Sequence, residues 1–124
     1  MHDAIKLTLS VRETRQYADG WSYLDAWRDI GDGYLLTQKE LPAPEQLDLC
    51  GPERRREYRI YVPGSSRGDN AQDVPRALEG LFAGTTCQHA HDCCGCWVSM
   101  VETVVRDRAN PNEWIVRVRS QQNY

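Results

Sequence analysis

Near the amino end, Ile5, Leu7, Leu9 and Val11 alternate with Lys6, Thr8, Ser10 and Arg12. Apolar side chains at every second position share one face of a pleated strand, so this stretch reads as a strand buried on one side. Tyr58, Ile60 and Val62 alternate in the same way with Arg59 and Tyr61, and Pro63-Gly64-Ser65-Ser66 halts the run. Between them, Trp21, Tyr23, Leu24, Ala26 and Trp27 fit an amphipathic turn of helix or an aromatic strand equally well. Gly31-Asp32-Gly33 signals a turn and Tyr34-Leu35-Leu36-Thr37 a short strand after it, so residues 21–37 are expected to form a hairpin. Pro42, Pro44 and Pro52 make the next stretch irregular.

The period changes once. Asp73 can cap a helix with Pro75 in its first turn, followed by Ala77, Leu78, Leu81 and Phe82 at helical spacing and a stop at Gly84, which predicts a helix over about 74–83. After it, Trp97 to Val105 and Glu113 to Arg119 are rich in β-branched residues, with Ala109-Asn110-Pro111-Asn112 between them. This is a carboxyl-terminal β-hairpin. On its second strand Trp114, Val116 and Val118 belong in the core, and Ile115, Arg117 and Arg119 on the outer face. The elements sum to an α+β class: a small β-rich domain with an antiparallel sheet and one short helix. At 124 residues the chain is expected to be a single domain over 1–124.

Composition adds that the chain is ordered rather than disordered, with 40% hydrophobic and 27% charged residues and a mean hydropathy of -0.66. No apolar run approaches the about 20 residues of a membrane helix, and no secretory signal opens the sequence. A cytoplasmic location without membrane contact is the expectation.

Thirteen arginines and two lysines face 18 acidic residues, for a net charge of -3, so the mean field gives no reason to expect nucleic acid. Arg54, Arg55, Arg56 and Arg59 nevertheless form one cluster, and Arg106, Arg108, Arg117 and Arg119 gather near the end. Interleaved acids, Glu53 and Glu57 in the first group and Asp107 and Glu113 in the second, favour internally paired surfaces. The candidate partner-binding residues are Arg54, Arg55, Arg56, Arg59, Arg117 and Arg119, for a protein partner or, as a second choice, nucleic acid. Arg67-Gly68-Asp69 reads as a connector rather than an adhesive loop.

Candidate chemistry concentrates in Cys87-Gln88-His89-Ala90-His91-Asp92-Cys93-Cys94-Gly95-Cys96, which holds four of the five cysteines and two of the three histidines. In a reducing compartment, clustered thiols are better read as metal ligands or reactive groups than as disulfides. Zinc takes four thiolate or imidazole ligands, commonly in pairs two to four residues apart, and Cys93-x-x-Cys96 is such a pair. In an extended chain Cys87, His89, His91 and Cys93 project to one face, so two of the first three can join the same ion. The candidate ligands are therefore Cys87, His89, His91, Cys93 and Cys96, with Cys94 pointing away and Cys50 or His2 available only from afar. Competing readings are packed thiols, a redox C-x-x-C, and a disulfide. No His-Glu-x-x-His, deaminase pattern, phosphate-cradling glycine loop or Gly-x-Ser-x-Gly elbow accompanies the cluster. A structural clamp is thus favoured over a catalytic metal, and no catalytic residue is assigned.

The run His89-Ala90-His91-Asp92-Cys93-Cys94-Gly95-Cys96-Trp97, the hairpin behind it and the ending Gln122-Asn123-Tyr124 resemble small uncharacterised proteins of bacteriophages, plasmids and other bacterial mobile elements. The resemblance covers about a third of the chain. It implies a bacterial host cytosol and an accessory role, such as inhibition of a defence system like CRISPR. The expectation is a non-enzymatic interaction module whose loop 87–96 is clamped by a metal, zinc being favoured. The alternatives are a small metal- or thiol-dependent enzyme using Cys93, Cys96, His91 and Asp92, and a nucleic-acid-binding accessory protein acting through the arginines.

Overall fold

The computed structural model of the chain describes residues 4–16, 20, 23–42, 53–66, 70–86 and 96–123. The alternating stretches form strands β1 (Ile5–Gln16), β2 (Tyr23–Leu41) and β3 (Glu53–Tyr61), followed by helix α1 (Asn70–Phe82). Strands β4 (Gly84–Thr86), β5 (Cys96–Arg106) and β6 (Glu113–Asn123) complete the series. All strand pairs are antiparallel, in a six-stranded sheet of order β1-β2-β3-β6-β5-β4.

The helix packs mainly on β1 and β5, which lie four strand spacings apart in that order. Flat, those strands would be about 19 Å apart, wider than the ~10–12 Å of a helix, so the sheet curls around α1. Three register steps, at Leu9/Ser10, Leu35/Thr37 and Val101/Thr103, supply local bends. The concave face is the core: Leu9 and Val11 from β1, Ile60 from β3, Val62 just beyond it, and Trp114, Val116 and Val118 from β6. Val74, Ala77 and Leu78 of α1 close it at spacings of three and four residues. The inward set expected on β6 is the observed one.

Three expectations are corrected. The helix starts at Asn70 rather than 74, so Asp73 stands in its first turn instead of capping it. There it pairs with Arg28 at 3.0 Å, and a carboxylate in the first turn also opposes the positive end of the helix dipole. Leu81, expected on the apolar face, is 45% exposed. The hairpin over 21–37 does not form: Gly31 and Gly33 lie inside one 19-residue strand. Gly31, at φ 120°, absorbs the bend where β1 and β2 step in register. Gly33 is a packing position. A Cβ there would sit 3.2 Å from Ile60 Cγ2 and 3.3 Å from Leu9 Cδ1, so its bare Cα lets β1 and β3 close over β2. Arg67-Gly68-Asp69 and the proline-containing stretch 43–52 lie outside the described residues.

The expected carboxyl-terminal hairpin is β5–β6, and Asp107 closes its turn. The Asp107 carboxylate accepts backbone N–H bonds from Ala109 and Asn110, while Asp107 and Glu113 complete the backbone ladder. Among the described residues no helix is long and apolar enough to cross a membrane.

Candidate functional site

Strand alternation decides where the arginines go. In β3, Arg55, Glu57 and Arg59 project to the convex face, while Arg54, Arg56, Tyr58 and Ile60 project to the concave one. The four arginines that cluster in sequence are therefore split between two faces.

On the convex face each candidate arginine meets an acid. The Arg55 guanidinium forks onto Glu102, with Nε 2.9 Å and Nη2 2.8 Å from the two carboxylate oxygens. Glu102 is the residue passed over by the register step in β5, and its side chain reaches across β6 to that arginine. Arg59 donates to Asp107 and lies 3.5 Å from Glu113. Arg117 pairs with Glu57 at 3.1 Å, Lys39 reaches the same carboxylate at 2.9 Å, and Arg119 pairs with Glu53. The electrostatics follow. Lys39, then Arg117, hold the Glu57 carboxyl below its ordinary range, Arg55 does the same for Glu102, and Arg59 with two backbone N–H groups for Asp107.

The concave face carries a different assembly beyond the end of α1. Arg54 lies over the Trp97 ring, 4.8 Å from its centroid, and Tyr58 stacks on Phe82 at 4.6 Å. Arg56 donates to Glu40 Oε1 at 2.6 Å. The Ser99 and Ser120 hydroxyls are 2.7 Å apart on the cleft floor with Val118. These groups enclose a cleft of about 280 Å³. Phe82, Ser99 and Ser120 carried no functional signal in the sequence, because the residues of this cleft come from four elements and meet only once the sheet has curled.

Of the metal candidates, Cys87, His89, His91 and Cys93 lie outside the described residues, and Cys96 opens β5. Among the described residues no group of three or more potential ligands gathers. The described residues do fix the two anchors of this run. Thr86 pairs with Trp97 across β4–β5, so the chain leaves and re-enters the sheet at adjacent positions.

Comparison with protein families, curated proteins and solved structures returns no match. Functional assignment rests on the residues themselves.

Proposed function

We propose that the chain is a non-enzymatic interaction module in which the β4–β5 hairpin presents loop 87–96, clamped by a metal, to a protein partner. What supports the reading is the Thr86–Trp97 pairing beneath a run of four cysteines and two histidines. Paired strands hold the anchors about 5 Å apart, so the entropy of closing the loop is already met by the sheet before any ligand binds. Thiolates and imidazoles confined to one short loop suit tetrahedral zinc, with the four ligands drawn from Cys87, His89, His91, Cys93 and Cys96. A metal held by these ligands then clamps the run as a recognition surface.

The resemblance to mobile-element proteins makes inhibition of a bacterial defence system, such as CRISPR, one version of this role, acting in the bacterial cytosol. Nucleic-acid binding is the weaker reading. Arg55, Arg59, Arg117 and Arg119 already face carboxylates, and a phosphate would have to displace each of them.

Thiol labelling of untagged protein, with and without a chelator, separates the clamp from a thiol enzyme. The clamp predicts slow labelling that accelerates when chelator removes the metal. A single fast-reacting cysteine in metal-free native protein would instead favour the enzyme using Cys93, Cys96, His91 and Asp92.

A further inference from the structure

Neighbouring arginines on β3 are treated in opposite ways. Arg55 spends its edge donors on Glu102, whereas Arg54 has no carboxylate within salt-bridge distance among the described residues. The Arg54 guanidinium carbon lies over the Trp97 ring, and with no described carboxylate taking its N–H groups, donors remain for a planar, bidentate acceptor.

The surroundings suit an anion. Arg56 is the second cation at the cleft, its charge answered by Glu40, and none of the described side chains lining the cleft is acidic in a chain of net charge -3. The Ser99–Ser120 pair adds a donor: of two hydroxyl protons, one serves the bond between them and the other is free for a ligand. The remaining walls are rings, with Trp97 on one side and the Tyr58–Phe82 stack on the other. A bare inorganic anion would leave those apolar walls unused. At about 280 Å³ the cleft sits just below the usual range for small-molecule sites, which leaves room for one ring system with a single charged group.

We infer that this cleft binds a small aromatic anion of mononucleotide size, its phosphate held by the Arg54 guanidinium and its ring against Trp97 and Phe82. The site stands on β3, β5, β6 and the end of α1. It needs neither a metal nor the loop proposed above.

Calorimetric titration of the full chain with 5′-AMP, adenosine and inorganic phosphate tests it. The site predicts 5′-AMP binding with Kd near or below about 1 mM, and adenosine and phosphate each weaker by about tenfold or more. Arg54→Gln, at an exposed position, should weaken 5′-AMP by about tenfold or more, and Arg54→Lys should recover only part because it restores charge without the fork. Lys6→Gln, exposed on β1 and away from the cleft, should leave 5′-AMP binding unchanged. Adenosine binding as well as 5′-AMP, phosphate binding as well as 5′-AMP, an Arg54→Gln protein of unchanged circular dichroism that binds like wild type, or no heat from 5′-AMP at several times that concentration would each overturn the assignment.

Discussion

Ser65 is a single hydroxyl on which two parts of the core depend. It is fully buried, donates to the Val62 carbonyl at 2.6 Å and accepts the Trp114 indole N–H at 2.8 Å. In Ser65→Ala the Val62 carbonyl keeps a bond from the backbone N–H of residue 65, at 3.2 Å, so it is not orphaned. The indole N–H is, because Trp114 is only 4% exposed and water does not reach its donor freely. A buried donor left without a partner costs about 1–3 kcal/mol and the lost hydroxyl–carbonyl bond about 0.5–1.5, giving roughly 2–4 kcal/mol in all. Against a native stability of about 5–15 kcal/mol this is a large share. At about 4 °C per kcal/mol for a chain of this length, Tm should fall by roughly 8–16 °C. Urea denaturation followed by circular dichroism measures the cost, and a cycle with Trp114→Phe isolates its origin. Phenylalanine has no N–H to strand, so Ser65→Ala in that background should cost only about 0.5–1.5 kcal/mol. An equal cost in both backgrounds would refute the argument that the orphaned indole carries the effect.

Gly33→Ala adds a methyl that meets Ile60, Leu9 and Val62 side chains at 3.2–3.4 Å, two of them β-branched and stiff, and should destabilise by about 1–3 kcal/mol in urea titrations. Gly31→Ala has open space and should be costly for a different reason, its φ of 120°, so larger residues at 31 should behave much like alanine while those at 33 worsen with size. Acid should unfold the chain through the convex face. Glu57, Glu102 and Asp107 have carboxyls held low in the folded state, so the unfolded chain binds more protons over the interval between folded and unfolded values. Their contribution is fully present above about pH 4–4.5 and is lost as pH falls through the folded values. Tm should be flat from neutral pH to about 5 and fall below about 4, and Glu102→Gln should make that fall shallower; an unchanged slope would contradict the assignment.

The alternating stretches were legible because each has one apolar and one polar side, as in Leu7-Thr8-Leu9 and Val116-Arg117-Val118. The helix was legible from Ala77 and Leu78 but not at its start, since Asn70-Ala71-Gln72 carries no apolar rhythm. Gly31-Asp32-Gly33 misled for a physical reason: glycine serves a turn and a crowded strand with the same missing Cβ, and only the facing Ile60 and Leu9 distinguish them. Arginine hid the faces of β3. Arg54, Arg55 and Arg56 are identical in any hydropathy pattern, yet one lies over Trp97, one forks onto Glu102 and one meets Glu40. Partners from residues 40, 97 and 102 are fixed by sheet register, which short-range pattern does not encode.

The proposed metal clamp is tested most directly by elemental mass spectrometry of protein purified without a histidine tag, combined with thermal denaturation before and after chelation. A clamp predicts one zinc per chain, its loss on chelation, and a lower Tm that returns when zinc is restored. Protein that carries no stoichiometric metal, takes up none when zinc is supplied, and melts identically with and without chelator would contradict it.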